Sequence, residues 1–210
     1  MFVTIRPMPR LFFASIMPDP RSGPRPRLLA VATSAGGPPA LQILLSGLVG
    51  FPAPIVIVQH IAAGFVQGLA TWLTTVSGVS VRVATAGEHL LDGTAYLAPD
   101  GAHLLVTGAG RAALDPSMKS GRFKPSADAL FTSVAQAYRA EALGVILTGM
   151  GRDGVEGAGR LRAAGSRVLV QEPSTAAVTG MPEAAIEADV AVATMPVEAM
   201  PDYIRAAFKG

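Results

Sequence analysis

Ser34, His60 and Asp153 have side chains that could work together on a carbonyl group. A serine hydroxyl is a weak nucleophile until an imidazole takes its proton, and the imidazole serves best when a carboxylate fixes its tautomer. Such a trio attacks esters and amides through a tetrahedral intermediate whose oxyanion needs nearby N–H donors. Ser34 is followed by Ala35-Gly36-Gly37, where a substrate carbonyl could approach the main chain closely. His60 follows Gln59 at the end of an apolar run, and Asp153 lies in Gly149-Met150-Gly151-Arg152-Asp153-Gly154 after another. Each residue alone has a plainer reading. Ser34 and Asp153 are good helix N-caps, and His60 could be a buried histidine bonded to backbone. What groups them is a shared place, just beyond the end of a strand-like run.

The runs themselves predict the frame. Leu28 to Thr33 and Ile55 to Val58 are short and wholly apolar, and Ala40 to Val49 between them is of helix length. Strands buried on both faces of a parallel sheet read in this way. Further strands are predicted over Val79 to Ala84, Gly144 to Thr148, Arg167 to Gln171 and Val190 to Ala193. Helices are predicted over Ala63 to Val76, Ser126 to Glu141 with Ser126 as its cap, Gly154 to Ala164, Glu183 to Glu187 and Val197 to Phe208. Thr94 to Ala98, Ala102 to Val106 and Arg111 to Asp115 read as a small β-hairpin or meander insertion around residues 92–115. The alternation predicts an α/β, doubly wound, mostly parallel sheet with helices on both faces. In that architecture ligands bind at the carboxyl ends of the strands, where the three reactive residues fall.

Composition narrows the chemistry. The chain has 210 residues, half of them hydrophobic and 15% charged, and no cysteine. Thiolate metal sites, disulfides and cysteine nucleophiles are thereby excluded. Only His60, His89 and His103 could supply imidazole, and no metal site is expected from them. His89 and His103 fall in expected turns and read as solvent-facing, whereas Trp72 reads as core. Residues 1–27 carry five arginines and one acid, a balance of +4, against −2 for the rest. Prolines at 7, 9, 18, 20, 24 and 26 disfavour helix there, so 1–27 reads as an extended Pro/Arg-rich tail ahead of a domain over 28–210. The body has no basic face of the kind nucleic acid requires. Leu28 to Val81 holds no Asp, Glu, Lys or Arg, but Pro38-Pro39, Gly47, Gly50, Pro52 and Pro54 cut it into pieces too short for a membrane span.

One rival uses the same loop. Gly149-x-Gly151-x-x-Gly154 follows a strand and opens a helix, with Glu172 some way on, as in a dinucleotide site of an NAD-binding oxidoreductase. Against it, only 38 residues follow Glu172, too few for a second mononucleotide-binding half. Asp153 would also place negative charge where a pyrophosphate should sit.

Longer segments carry a resemblance. Val31 to Gly37, Val58 to Phe65 and Gly144 to Gly154 are similar to the catalytic domain of the CheB-type protein-glutamate methylesterases of bacterial chemotaxis. So are Leu91 to Pro99, Lys124-Pro125-Ser126-Ala127-Asp128 and Val178-Thr179-Gly180-Met181-Pro182. The resemblance implies Ser34 as nucleophile, His60 as base and Asp153 as its orienter, with Met150 and Ala35 at the oxyanion through the main chain. It implies hydrolysis of glutamate methyl esters on the cytoplasmic helices of chemoreceptors, releasing methanol, and deamidation of receptor glutamines, without a cofactor. A catalytically silent module that docks on receptor helices is the alternative. Ala32, Ala35 and Lys124 stand where the family more often has Gly, Thr and Arg. The family's receiver domain has no counterpart in residues 1–27, which leaves room for separate response-regulator or kinase components; the absence of cysteine suggests a reducing, cytoplasmic setting.

Overall fold

The computed structural model describes residues 17–117 and 123–209. Most of the predicted tail, residues 1–16, lies outside the described residues. Residues 17–27 form no helix or strand; a turn at Asp19 leads to a bond from Arg167 Nη1 to the Pro20 carbonyl, and Arg27 pairs with Glu141 at 3.1 Å.

Seven parallel strands make the sheet, β1 (Leu28–Thr33), β2 (Ile55–Gln59), β3 (Ser80–Val83), β4 (Thr94–Leu97), β7 (Ala142–Ile146), β8 (Arg167–Gln171) and β9 (Ala193–Met195). Their order is β3-β4-β2-β1-β7-β8-β9. The chain winds outward from β1 through β2, then returns to β7 on its other side, so the winding reverses between β1 and β7. That reversal opens the crevice in which such sheets bind ligands. A two-stranded antiparallel hairpin, β5 (His103–Val106) with β6 (Ala112–Asp115), stands apart.

Alternation along β1 explains both faces. Leu29 and Val31 pack with Leu41, Leu44 and Leu45 of α1 (Gly37–Ser46), Leu69 and Leu73 of α2 (Val66–Ser77) and Phe208 of α6 (Met200–Lys209). Leu28, Ala30 and Ala32 turn to the other side. There they meet Leu130, Phe131 and Val134 of α3 (Ala127–Tyr138), Ala158 and Leu161 of α4 (Val155–Ala163) and Met181 of α5 (Gly180–Glu187). A fully buried Leu or Phe contributes roughly 2 kcal/mol, which is why this strand tolerates no charge.

The doubly wound prediction holds, with local corrections. Thr94–Leu97 is not part of the insertion: it enters the main sheet between β2 and β3, and all four residues are buried, as a strand covered on both faces requires. The antiparallel insertion is therefore the β5–β6 hairpin alone. Helix α1 starts at Gly37, earlier than expected, because Pro38 and Pro39 sit in the first turn, where a missing N–H costs nothing. The last strand starts at Ala193, since Val190 closes the turn after α5 by bonding to the Ala185 carbonyl. Trp72 is 39% exposed on α2 and is not core. His103 is wholly buried in β5, where its Nδ1 accepts from the Ser126 N–H at 3.2 Å; it does not face solvent. Among the described residues no helix is long and apolar enough to cross a membrane.

Candidate active site

Ser34 is the first residue past β1 and His60 the first past β2. The parallel register ends with Thr33 opposite Gln59, and the His60 N–H donates to the Thr33 carbonyl at 3.0 Å. One further step along that register brings Ser34 and His60 to the same rim of the sheet, each just past the end of its strand. On the other flank the Ser34 N–H donates to the Thr148 carbonyl at 3.0 Å, joining it to the loop after β7. That loop presses on the serine. A Cβ on Gly149 would stand 2.8 Å from Ser34 Cβ and 2.3 Å from Met181 Sδ, so only glycine fits there.

The imidazole and the carboxylate are joined. His60 Nε2 lies 2.9 Å from Asp153 Oδ2, and both side chains are nearly buried. Asp153 receives three more hydrogen bonds, all from the start of α3: from the Ala127 N–H at 2.7 Å, from Ser126 Oγ at 2.8 Å and from the Asp128 N–H at 3.1 Å. Burial works to raise its pKa, yet the bond from His60 and those from Ala127, Ser126 and Asp128 hold the carboxyl below its usual range. An ionised carboxylate only accepts, so Nε2 is the donor toward Asp153, which in the neutral imidazole makes Nδ1 the acceptor. His60 Nδ1 is buried and has no partner among the described residues. The Phe123 ring stacks on the imidazole at 4.4 Å and 17°, closing one face of it.

Asp128 returns the favour that Asp153 does α3. Its Oδ1 accepts from the N–H groups of Gly154 at 3.0 Å and Gly157 at 2.8 Å, capping α4. Burial pushes the Asp128 carboxyl up to about 6, opposed by the Gly157 N–H and reinforced by the Asp153 charge. Two N-terminal donors of α4 are thus occupied by the chain's own carboxylate. A pyrophosphate would have to displace it, which counts against the dinucleotide reading of this loop.

The remaining predicted positions fall around the serine. The N–H groups of Ala35 and Met150 donate to no carbonyl among the described residues, and the Met150 side chain is 69% exposed. The Ser34 hydroxyl likewise makes no hydrogen bond to a described residue. Sequence reasoning missed Phe123, Asp128, His103 and the second role of Ser126. Only the Lys124-to-Asp128 match pointed toward this segment, and nothing local ties it to His60.

The family model for CheB methylesterase matches residues 29–204. A Myxococcus xanthus protein named protein-glutamate methylesterase/protein-glutamine glutaminase 4 is 46% identical over 187 residues, covering 89% of this chain and 53% of that protein. An Anaeromyxobacter dehalogenans protein, named protein-glutamate methylesterase/protein-glutamine glutaminase 3, is 48% identical over 201 residues, 95% of this chain and 59% of its own length. The crystal structure of the Thermotoga maritima CheB methylesterase catalytic domain superposes with a TM-score of 0.82 at 34% identity, covering 86% of this chain and 97% of that one. The chain therefore spans somewhat more than half the length of these curated relatives and nearly all of the solved catalytic domain. On the extent of these matches, the chain belongs to the CheB methylesterase family.

Proposed function

We propose that this chain hydrolyses glutamate methyl esters on the cytoplasmic helices of chemoreceptors, with Ser34 as nucleophile, His60 as base and Asp153 as the carboxylate that orients it. The observation that carries this is the His60 Nε2–Asp153 Oδ2 bond of 2.9 Å with Nδ1 left unpartnered, one strand from Ser34. Rotation of the Ser34 hydroxyl toward Nδ1 completes the relay. Nδ1 takes the hydroxyl proton as Oγ attacks the ester carbonyl. The N–H groups of Ala35 and Met150, free of other partners, receive the developing oxyanion. The imidazolium then protonates the leaving methoxide, methanol departs, and a glutamyl-serine ester remains. Water, deprotonated by the same imidazole, cleaves that ester and restores Ser34.

A glutamine side chain passes through the same intermediate with ammonia leaving, so deamidation of receptor glutamines belongs to the same proposal. The printed names of both curated relatives join the two activities. The rim fits a protein substrate, since Phe65, Phe123 and Met150 are exposed apolar side chains around the crevice. The test is methanol release from a methylated receptor fragment. The chain should release it, and Ser34→Ala should lower the rate by at least ~10³-fold. Equal release by both removes the triad, and no release by either favours a docking module without turnover.

A further inference from the structure

We infer that Gln59 is a positioning residue for the proposed hydrolysis, its side-chain amide tying the nucleophile's loop to the base's loop. Gln59 ends β2 and is 5% exposed. Its Nε2 donates to the Ser34 carbonyl and to the His60 carbonyl, both at 2.8 Å. An amide nitrogen has two hydrogens, and here each goes to one of the two reacting residues. The need is physical. Past Thr33 and Gln59 the paired register ends; the Ser34 carbonyl keeps the Gly37 N–H at 2.9 Å with a second lone pair to fill, and the His60 carbonyl has no other donor among the described residues. Gln59 satisfies both at once and thereby sets how far apart Ser34 and His60 stand.

Its other end reveals the cost. Gln59 Oε1 is buried without a partner among the described residues. It lies only 1.9 Å from where a Cβ on Gly37 would be. A buried acceptor left unpaired opposes folding and calls for an explanation, which the two hydrogen bonds donated by Nε2 supply. Gly37 is then glycine because Gln59 Oε1, and behind it Thr33 Oγ1 at 2.6 Å, occupy the space beside it. The two positions, 22 apart in sequence, form one device, and filling the space at 37 should undo the tie at 59.

This inference rests on the hydrolysis proposed above, so its test reads Ser34 reactivity and turnover on the full chain. A fluorophosphonate probe reports the rate at which Ser34 is phosphonylated, whatever the natural ester. Gln59→Met keeps length and removes both donors. Labelling rate and kcat should fall ~10- to 100-fold, as expected for a misplaced nucleophile–base pair. KM should stay within about twofold, because the substrate's own contacts are untouched. Gly37→Ala should give a similar loss, and the double variant should be no worse than either single one. A folded Gln59→Met chain labelled at the wild-type rate, or additive losses in the double variant, overturns the inference and leaves the hydrolysis standing. Should Gln59→Met not fold, undiminished labelling of Gly37→Ala overturns it equally. A wild-type chain that neither labels nor releases methanol removes both together.

Discussion

The two flanks of the crevice hold their reactive groups by different means. On the β1–β2 flank, Ser34 and His60 are fixed by strand register, a backbone bond to Thr33 and the neutral amide of Gln59. On the α3–α4 flank, two carboxylates exchange places: Asp153, ahead of α4, caps α3, and Asp128, within α3, caps α4. Neutral ties hold at any pH and depend on shape. Ionised caps depend on charge, and each must also answer for the other's nearness. In the proposed hydrolysis the first flank would supply nucleophile and base with no titration of its own scaffold. The second supplies the negative charge that fixes the imidazole tautomer, and keeps it ionised by spending a helix terminus on it.

The largest effect expected from this contrast is at Asp153. Asp153→Asn keeps an acceptor for α3 but loses the charge that makes Nε2 the donor. Methanol release should drop ~10³- to 10⁴-fold, and the thermal midpoint should fall as well, because the amide nitrogen would face N–H donors that both carboxylate oxygens now accept. Loss of less than about tenfold would show that the charged flank is structural only.

Glycine substitutions sharpen the comparison next. A Cβ on Gly157 would stand 2.7 Å from Phe131 Cβ and 2.8 Å from the Asp128 carbonyl, so Gly157→Ala must prise α4 from α3. It should destabilise the chain by ~2–3 kcal/mol in urea unfolding. Gly68, in α2 on the other face, has nothing within 4 Å of its would-be Cβ. Gly68→Ala should stabilise by ~0.5–1 kcal/mol through helix propensity. Equal effects at the two positions would contradict the tight capping seam.

A pH-dependent effect separates the two carboxylates by sign. Asp128 has its folded pKa raised to about 6 from an ordinary 3.8, so the folded chain binds its proton more tightly. Its contribution is present below pH ~4 and is lost as pH rises through about 6. Asp153, held low, acts in the opposite sense and loses its contribution as pH falls through its folded value. Asp128→Asn keeps an oxygen for Gly154 and Gly157 and removes the charge. The variant should gain on the wild type by about 1 kcal/mol, after allowance for partial exposure, as pH goes from 4 to 7. A difference that is flat over that range would show that burial beside Asp153 does not raise the Asp128 carboxyl.

How much could be read beforehand followed from what is local. The runs Leu28 to Thr33 and Ile55 to Val58 announce strands buried on both faces, and the loops after them carry Ser34 and His60 whatever the neighbours do. Thr94–Leu97 was misplaced because a short strand between turns looks alike in a meander and in a parallel sheet; only its partners β2 and β3 distinguish them. His103 read as a turn residue because its partner, the Ser126 N–H, is 23 positions away. Trp72 read as core because large aromatics usually are, yet its place on α2 turns it outward.

By itself the sequence determined the parallel α/β frame and the three residues at its rim, since alternation of buried strands and helices and the loops that end them are properties of contiguous chain. Tertiary structure alone decided which imidazole nitrogen meets Asp153, that α3 and α4 cap each other, that Phe123 covers His60, and that Gln59 and Gly37 share one space. Those relations join atoms from segments far apart in sequence, and distance along a chain says nothing of direction in space until the sheet fixes it.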